Sequence, residues 1–200
     1  TSTDLKNAAL EYLAQCGNTK HLSAVETEVN KGKYQTNDAA VNAYLRIKLR
    51  NSREDAATAL VKLQPNSVRD GLLNELFENS SSINSEQLSK CLLHECADVR
   101  RTVIRLLRER DDLSTEDAER ATNDSDAEVR YEGLLSLQDD GRSYDNEQAK
   151  KILVKPKTQQ SLGFFGFLDS SDAAGENCWK EFVAQSFRRL NIRELRAVAQ

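Results

Sequence analysis

Val99-Arg-Arg-Thr-Val-Ile-Arg-Leu-Leu107 and, thirty residues on, Val129-Arg-Tyr-Glu-Gly-Leu-Leu-Ser-Leu137 carry one pattern. Thirty-one residues before the first lies a third copy, Val68-Arg-Asp-Gly-Leu-Leu-Asn-Glu-Leu76. In each, apolar or small residues recur four, five and eight places after the Val. They are Leu72, Leu73 and Leu76; Val103, Ile104 and Leu107; and Gly133, Leu134 and Leu137. Those offsets fall on one side of a helix of 3.6 residues per turn, so each copy predicts an amphipathic helix with one buried stripe.

Working outward, two looser copies precede these. Leu5, Ala9, Leu10 and Leu13 keep the stripe, with Lys6 where the later copies have Arg. Val41, Leu45 and Leu49 keep most of it. Shorter helices are expected between the copies, marked by Leu22, Val25 and Val29; by Ala56, Leu60 and Leu63; by Leu88 and Leu92; by Ala118 and Ala121; and by Ala149, Ile152 and Leu153. Ser52 with Asp55, Ser67 with Asp70, Ser114 with Asp117 and Ser125 with Glu128 have the spacing of helix N-terminal caps. No stretch alternates with period two, so no sheet is expected.

A two-helix unit cannot bury its apolar faces alone, whereas stacked copies can. The expected fold is therefore all-α, an α-solenoid of stacked antiparallel helix pairs. It divides into a repeat array over residues 1–155, an insertion over 156–176 and C-terminal helices over 177–200.

The stretch Asn123-Asp-Ser-Asp-Ala-Glu-Val-Arg130, with Tyr131 to Leu137 after it, resembles the short HEAT-like repeat of phycobilisome lyases. The resemblance covers residues 53–140 well and residues 1–52 loosely. It implies a HEAT-like superhelix with a ladder in which a turn Asp bonds the Arg that opens the second helix. Asp124 and Arg130 match that placing; Arg100 has Glu95 and Asp98 nearby, and Arg69 has only Asn66. The resemblance implies little about activity, because such arrays serve unrelated tasks.

Hydrophobic residues make 38% of the chain and charged residues 30%, with only 8 Gly and 2 Pro, which excludes collagen-like and disordered classes. The net charge of -4 argues against a broadly basic nucleic-acid coat. No apolar run approaches the roughly 18 residues of a membrane span, and a cytoplasmic location is expected. A chain that starts at Thr1 and lacks Met reads as a processed product or, preferably, a segment of something longer.

Cys16, Cys91, Cys96 and Cys178 are expected as reduced core residues. Cys91, His94 and Cys96 are too poorly aligned on a helix for a metal, and no metal or cofactor is expected. His94 is expected in a turn or cap. No phosphate-binding loop, dinucleotide fingerprint, zinc-protease motif or nucleophile elbow occurs.

Two features stand out as candidate binding surfaces. Arg101, Arg105 and Arg108 share a helix face, which suits phosphate or an acidic peptide; the alternative is a solvated face paired with Glu109, Asp111, Asp112 and the acids from Glu116 to Glu119. A second basic cluster, Arg188, Arg189, Arg193 and Arg196, carries the same alternatives. Gly163-Phe-Phe-Gly-Phe-Leu168 places Phe164, Phe165 and Phe167 in the insertion. They would dock a partner or neighbouring domain, or else fold back over the open end of the core. Trp179 is expected as a core anchor.

The function these features suggest is a non-enzymatic protein-interaction scaffold or a sensor segment, working through the concave groove or the Phe loop. A nucleic-acid-binding module using the Arg stripes is the alternative. An enzyme of the DNA-glycosylase or lyase kind is implied only by analogy with other HEAT-like arrays.

Overall fold

Each apolar stripe read above becomes one helix. The structure, a computed structural model, describes residues 3–31, 38–63, 65, 68–77, 83–155 and 172–189, the side chains of residues 70 and 187–189 excepted. Among the described residues there is no strand, and the elements are α1 (Thr3–Cys16), a 3-10 turn (Thr19–His21), α2 (Leu22–Lys31), α3 (Asp38–Asn51), α4 (Arg53–Leu63), α5 (Asp70–Phe77), α6 (Ser85–Cys91), α7 (Ala97–Glu109), α8 (Thr115–Ala121), α9 (Ala127–Asp139), α10 (Asn146–Leu153) and α11 (Ala173–Arg189). No helix of the described residues is long and apolar enough to cross a membrane.

The chain divides into two compact units, Thr1–Asp112 and Leu113–Gln200. In the first, α1 packs on α3, α3 on α5 and α5 on α7, which makes one layer. A second layer lies against it: α2 on α3, α4 on α3 and α5, and α6 on α4 and α7. In the second unit α8 packs on α9, and α9, α10 and α11 pack on one another. Leu134, Leu135, Ala149, Leu153 and Phe182 form the core of that group. Trp179 packs against it half-buried, with the Lys150 ammonium 4.3 Å from its ring centroid, so it anchors the core as expected.

The stripe is buried where the pattern is strictest. Val99, Val103, Ile104 and Leu107 of α7 and Val129, Leu134 and Leu137 of α9 are inaccessible or nearly so, as are Leu72, Leu73 and Leu76 of α5. Burying a side chain of this size stabilises by roughly 1.5–3 kcal/mol. Gly133, the small exception, is required by packing. A Cβ there would lie 2.7 Å from the Ala121 Cβ and 2.9 Å from the Ala118 carbonyl, so α8 and α9 touch backbone to side chain.

Helix ends follow local chemistry. Ser114 Oγ accepts the Asp117 N–H at the start of α8, and Ser52 Oγ accepts that of Asp55. At α9 the cap is Asp126 rather than Ser125: its carboxylate accepts the N–H groups of both Glu128 and Val129. A carboxylate at a helix N-terminus gains from the dipole as well as from the bonds, which a hydroxyl does not. The Ser67–Asp70 pairing lies outside the described residues. α7 and α9 also end alike. Asp111 and Gly141 take positive φ, and the following N–H groups of Asp112 and Arg142 bond back to Leu107 and Leu137.

Three expectations are corrected. Leu5 and Ala9 of the first stripe are exposed, because no described helix lies over that side of α1. Cys16 is exposed, not core, while Cys91 and Cys96 are buried and Cys178 is half-buried; all four are free thiols. The last helix begins at Ala173, four residues inside the expected insertion, because Asp172 caps it by accepting the Gly175 N–H.

Candidate functional site

The arginine stripe of α7 meets its neighbour in a groove. Arg105, Thr102, Leu106 and Glu109 of α7 face Asn74 and Phe77 of α5 across an open space of about 460 Å³. The floor is apolar, from Leu106 and the buried Phe77, and the rim is polar. Helices α5 and α7 belong to the same layer of the first unit, so the groove runs between successive members of it.

The arginines of α7 are not equivalent. Arg100 donates to the carbonyls of His94 and Glu95, 2.7 and 2.8 Å away, in the turn before its own helix. Arg110 donates to the Ile83 carbonyl at 2.8 Å. Arg101 pairs with Asp98 at 3.0 Å, and Arg108 is half-buried with partners of its own. Arg105 is exposed on the groove and makes no ion pair among the described residues. The stripe is thus part scaffold and part surface, with Arg105 on the surface side.

The expected ladder takes a different form. Arg130, 1% exposed, donates to the main-chain carbonyls of Asp124 and Ser125, 3.1 and 2.8 Å away, as Arg100 does six and five residues before itself. Its second nitrogen reaches the Leu153 carbonyl and, at 2.9 Å, the carboxylate of Asp172. The Asp124 carboxylate takes the Asp126 N–H at 2.8 Å. Arg69 instead pairs with Glu11 of α1, at the surface. The constant element is an arginine on unpaired main-chain oxygens at turns and helix ends, which would otherwise be left without donors.

Sequence reasoning missed other members of this set. Arg50 donates to the carbonyls of Leu13, Ala14 and Gly17 at the end of α1, and Arg53 to those of Glu75 and Leu76 at the end of α5. Lys155 Nζ donates to the carbonyls of Asn123 and Asp124, at 2.8 and 3.0 Å. Basic residues near helix termini were the available signal. Their targets, being main-chain atoms, have no sequence signature.

Asp172 binds three donors: Arg130, the Lys155 N–H at 3.0 Å and the Gly175 N–H at 2.9 Å. Burial by itself would raise its pKa, but the two main-chain donors and the guanidinium outweigh it and hold the carboxyl below its usual value. His94 is buried in the α6–α7 turn. Its Nδ1 accepts the Cys96 N–H at 3.0 Å and its Nε2 lies 3.3 Å from the Leu60 carbonyl, so the neutral Nε2–H tautomer fits both bonds. Burial lowers its pKa. Burial pushes the Cys91 thiol up to about 12, which leaves it unreactive at neutral pH. Among the described residues no three or more His, Cys, Asp or Glu side chains gather as a metal would require.

Phe164, Phe165, Phe167, Arg193 and Arg196 lie outside the described residues, as do the side chains of Arg188 and Arg189. Compared with protein-family models, curated proteins and solved structures, the chain matches none.

Proposed function

We propose that the chain is a non-enzymatic protein-interaction module, a short HEAT-like α-solenoid whose α5–α7 groove takes up an acidic peptide segment. The solenoid reading is supported by the two-layer alternation of the first unit and by the recurrence of one buried stripe in α5, α7 and α9. A single observation carries the functional reading: the exposed Arg105 guanidinium stands beside an apolar floor of Leu106 and Phe77, with Asn74, Thr102 and Glu109 around it. That combination suits a partner segment with one apolar side chain and one carboxylate close together, the guanidinium fixing orientation. Nucleic acid is the weaker reading, since Arg100, Arg101 and Arg110 are already engaged within the chain.

The test is a titration of labelled acidic peptides and of a short DNA duplex into the intact chain, at low and moderate salt. Peptide binding lost on Arg105→Glu, with unchanged circular dichroism, supports the module. Duplex binding with a steep salt dependence, lost on the same change, would replace this reading with the nucleic-acid one.

A further inference from the structure

The α5–α7 groove carries a second charge besides Arg105. Of the described residues that line it, Arg105 and Glu109 are the charged ones, and both are exposed on α7. Neither makes an ion pair or a side-chain hydrogen bond among the described residues. They stand four residues apart, a spacing at which other pairs in the chain close on themselves. Glu86 lies 3.0 Å from Lys90, and Glu116 lies 3.7 Å from Arg120. Order explains the difference. In both closed pairs the acid precedes the base, which is the favourable order on a helix, whereas Arg105 precedes Glu109. The groove therefore offers one cation and one anion that do not satisfy each other.

Geometry and hydrogen bonding narrow the occupant. One helical turn separates Arg105 from Glu109, about 6 Å along the axis. In an extended chain, residues i and i+2 share a side at about 6.6 Å, and residue i+1 points the other way. A segment with charges at i and i+2 can thus meet both α7 side chains while its middle residue enters the floor of Leu106 and Phe77. Thr102 already donates its hydroxyl to the Asp98 carbonyl at 2.7 Å. Asn74, exposed on α5 across the groove, has no side-chain hydrogen bond among the described residues. Its amide both donates and accepts, which suits the main chain of an extended segment. A helix would pair its own main-chain groups and leave that amide unused.

We propose, resting on the peptide-binding reading above, that the groove reads an extended tripeptide in which an apolar residue stands between an acid and a base. Arg105 takes the carboxylate, Glu109 takes the cation, and Asn74 bonds the main chain between them. Because the two charges lie in a fixed order along α7, the groove also sets the direction of the segment. A tripeptide with the charges in one order seats with its main chain on Asn74, and the reversed order places like charges together or turns the main chain round.

The probes are labelled, end-capped peptides with Gly/Ser flanks around Glu-Leu-Lys, Lys-Leu-Glu and Glu-Leu-Gln, titrated into the intact chain at low salt. One of the two bipolar peptides should bind best, with Glu-Leu-Gln about fivefold weaker, the scale of one exposed ion pair. Glu109→Gln in the chain should remove that difference. The double change Arg105→Glu with Glu109→Arg keeps the net charge and should invert the preference between the two bipolar orders. Both substituted residues are exposed, and circular dichroism should remain unchanged. Equal binding of Glu-Leu-Gln and the better bipolar peptide overturns this inference while leaving the acidic-segment reading in place. An order preference that survives the double change overturns it too. So does tighter binding of a helix-stapled peptide with the same charges four residues apart. Absence of binding by every peptide at millimolar concentration overturns both this inference and the reading beneath it.

Discussion

The partly buried Asp172 and the buried His94 show how single groups set the stability of their surroundings. Arg130 is inaccessible, and Asp172 supplies its carboxylate from 42 residues away. Removing one partner of a buried pair leaves the other uncompensated, at a cost of roughly 3 kcal/mol or more. Asp172→Ala should therefore lower the urea midpoint of the second unit by an amount that a surface change such as Glu147→Ala does not approach. Because the Asp172 pKa is depressed, its contribution is present above the unfolded value, near pH 4, and lost as pH falls below it. His94 acts at milder acidity. Its pKa is also lowered, so the unfolded chain takes up the proton first, and stability should decline as pH falls below about 6.5. Protonating Nδ1 would also remove the acceptor for the Cys96 N–H. Urea titrations between pH 7 and 5 should show this slope in the parent chain and its loss in His94→Asn, whose side-chain oxygen can accept the same N–H.

At the scale of the element, the matched ends of α7 and α9 give a paired test. Asp111 and Gly141 occupy one place in the repeat, and both take positive φ. A Cβ is disfavoured there, although Asp tolerates the region better than most residues. Asp111→Gly should stabilise the first unit by about 0.5 kcal/mol, and Gly141→Ala should destabilise the second by about 1 kcal/mol. Thermal melts of the two variants should shift in opposite directions. Equal shifts of one sign would mean that the shared hydrogen-bond pattern does not reflect a shared cap.

For the whole molecule, the ends of the segment between α10 and α11 are joined at their base. The Lys155 N–H bonds Asp172, which also holds Arg130 and caps α11. Replacing residues 156–171 with a four-residue Gly/Ser link should therefore keep the second unit folded. The shorter loop should contribute about 1 kcal/mol through reduced closure entropy. Calorimetry of this variant decides between the two roles open to Phe164, Phe165 and Phe167. Retained stability assigns them to a surface, and a loss of several kcal/mol assigns them to the core.

Amphipathic spacing is a local property, so the stripes of α5, α7 and α9 were legible from Val68, Val99 and Val129 and their followers. So were the short helices between them and the caps at Ser52 and Ser114. Whether a stripe is covered depends on a neighbour distant in sequence. Leu5 has the same spacing as Val99, yet one is exposed and the other buried. The arginines show the same limit: Arg50, Arg100 and Arg130 bond main-chain oxygens that every residue possesses, and Asp172 meets Arg130 only because α9, α10 and α11 pack together. Residue order by itself determined the helices and their inward sides. Only tertiary packing decided which inward side found a cover and which carbonyls needed a guanidinium, because both depend on surfaces brought together from far along the chain.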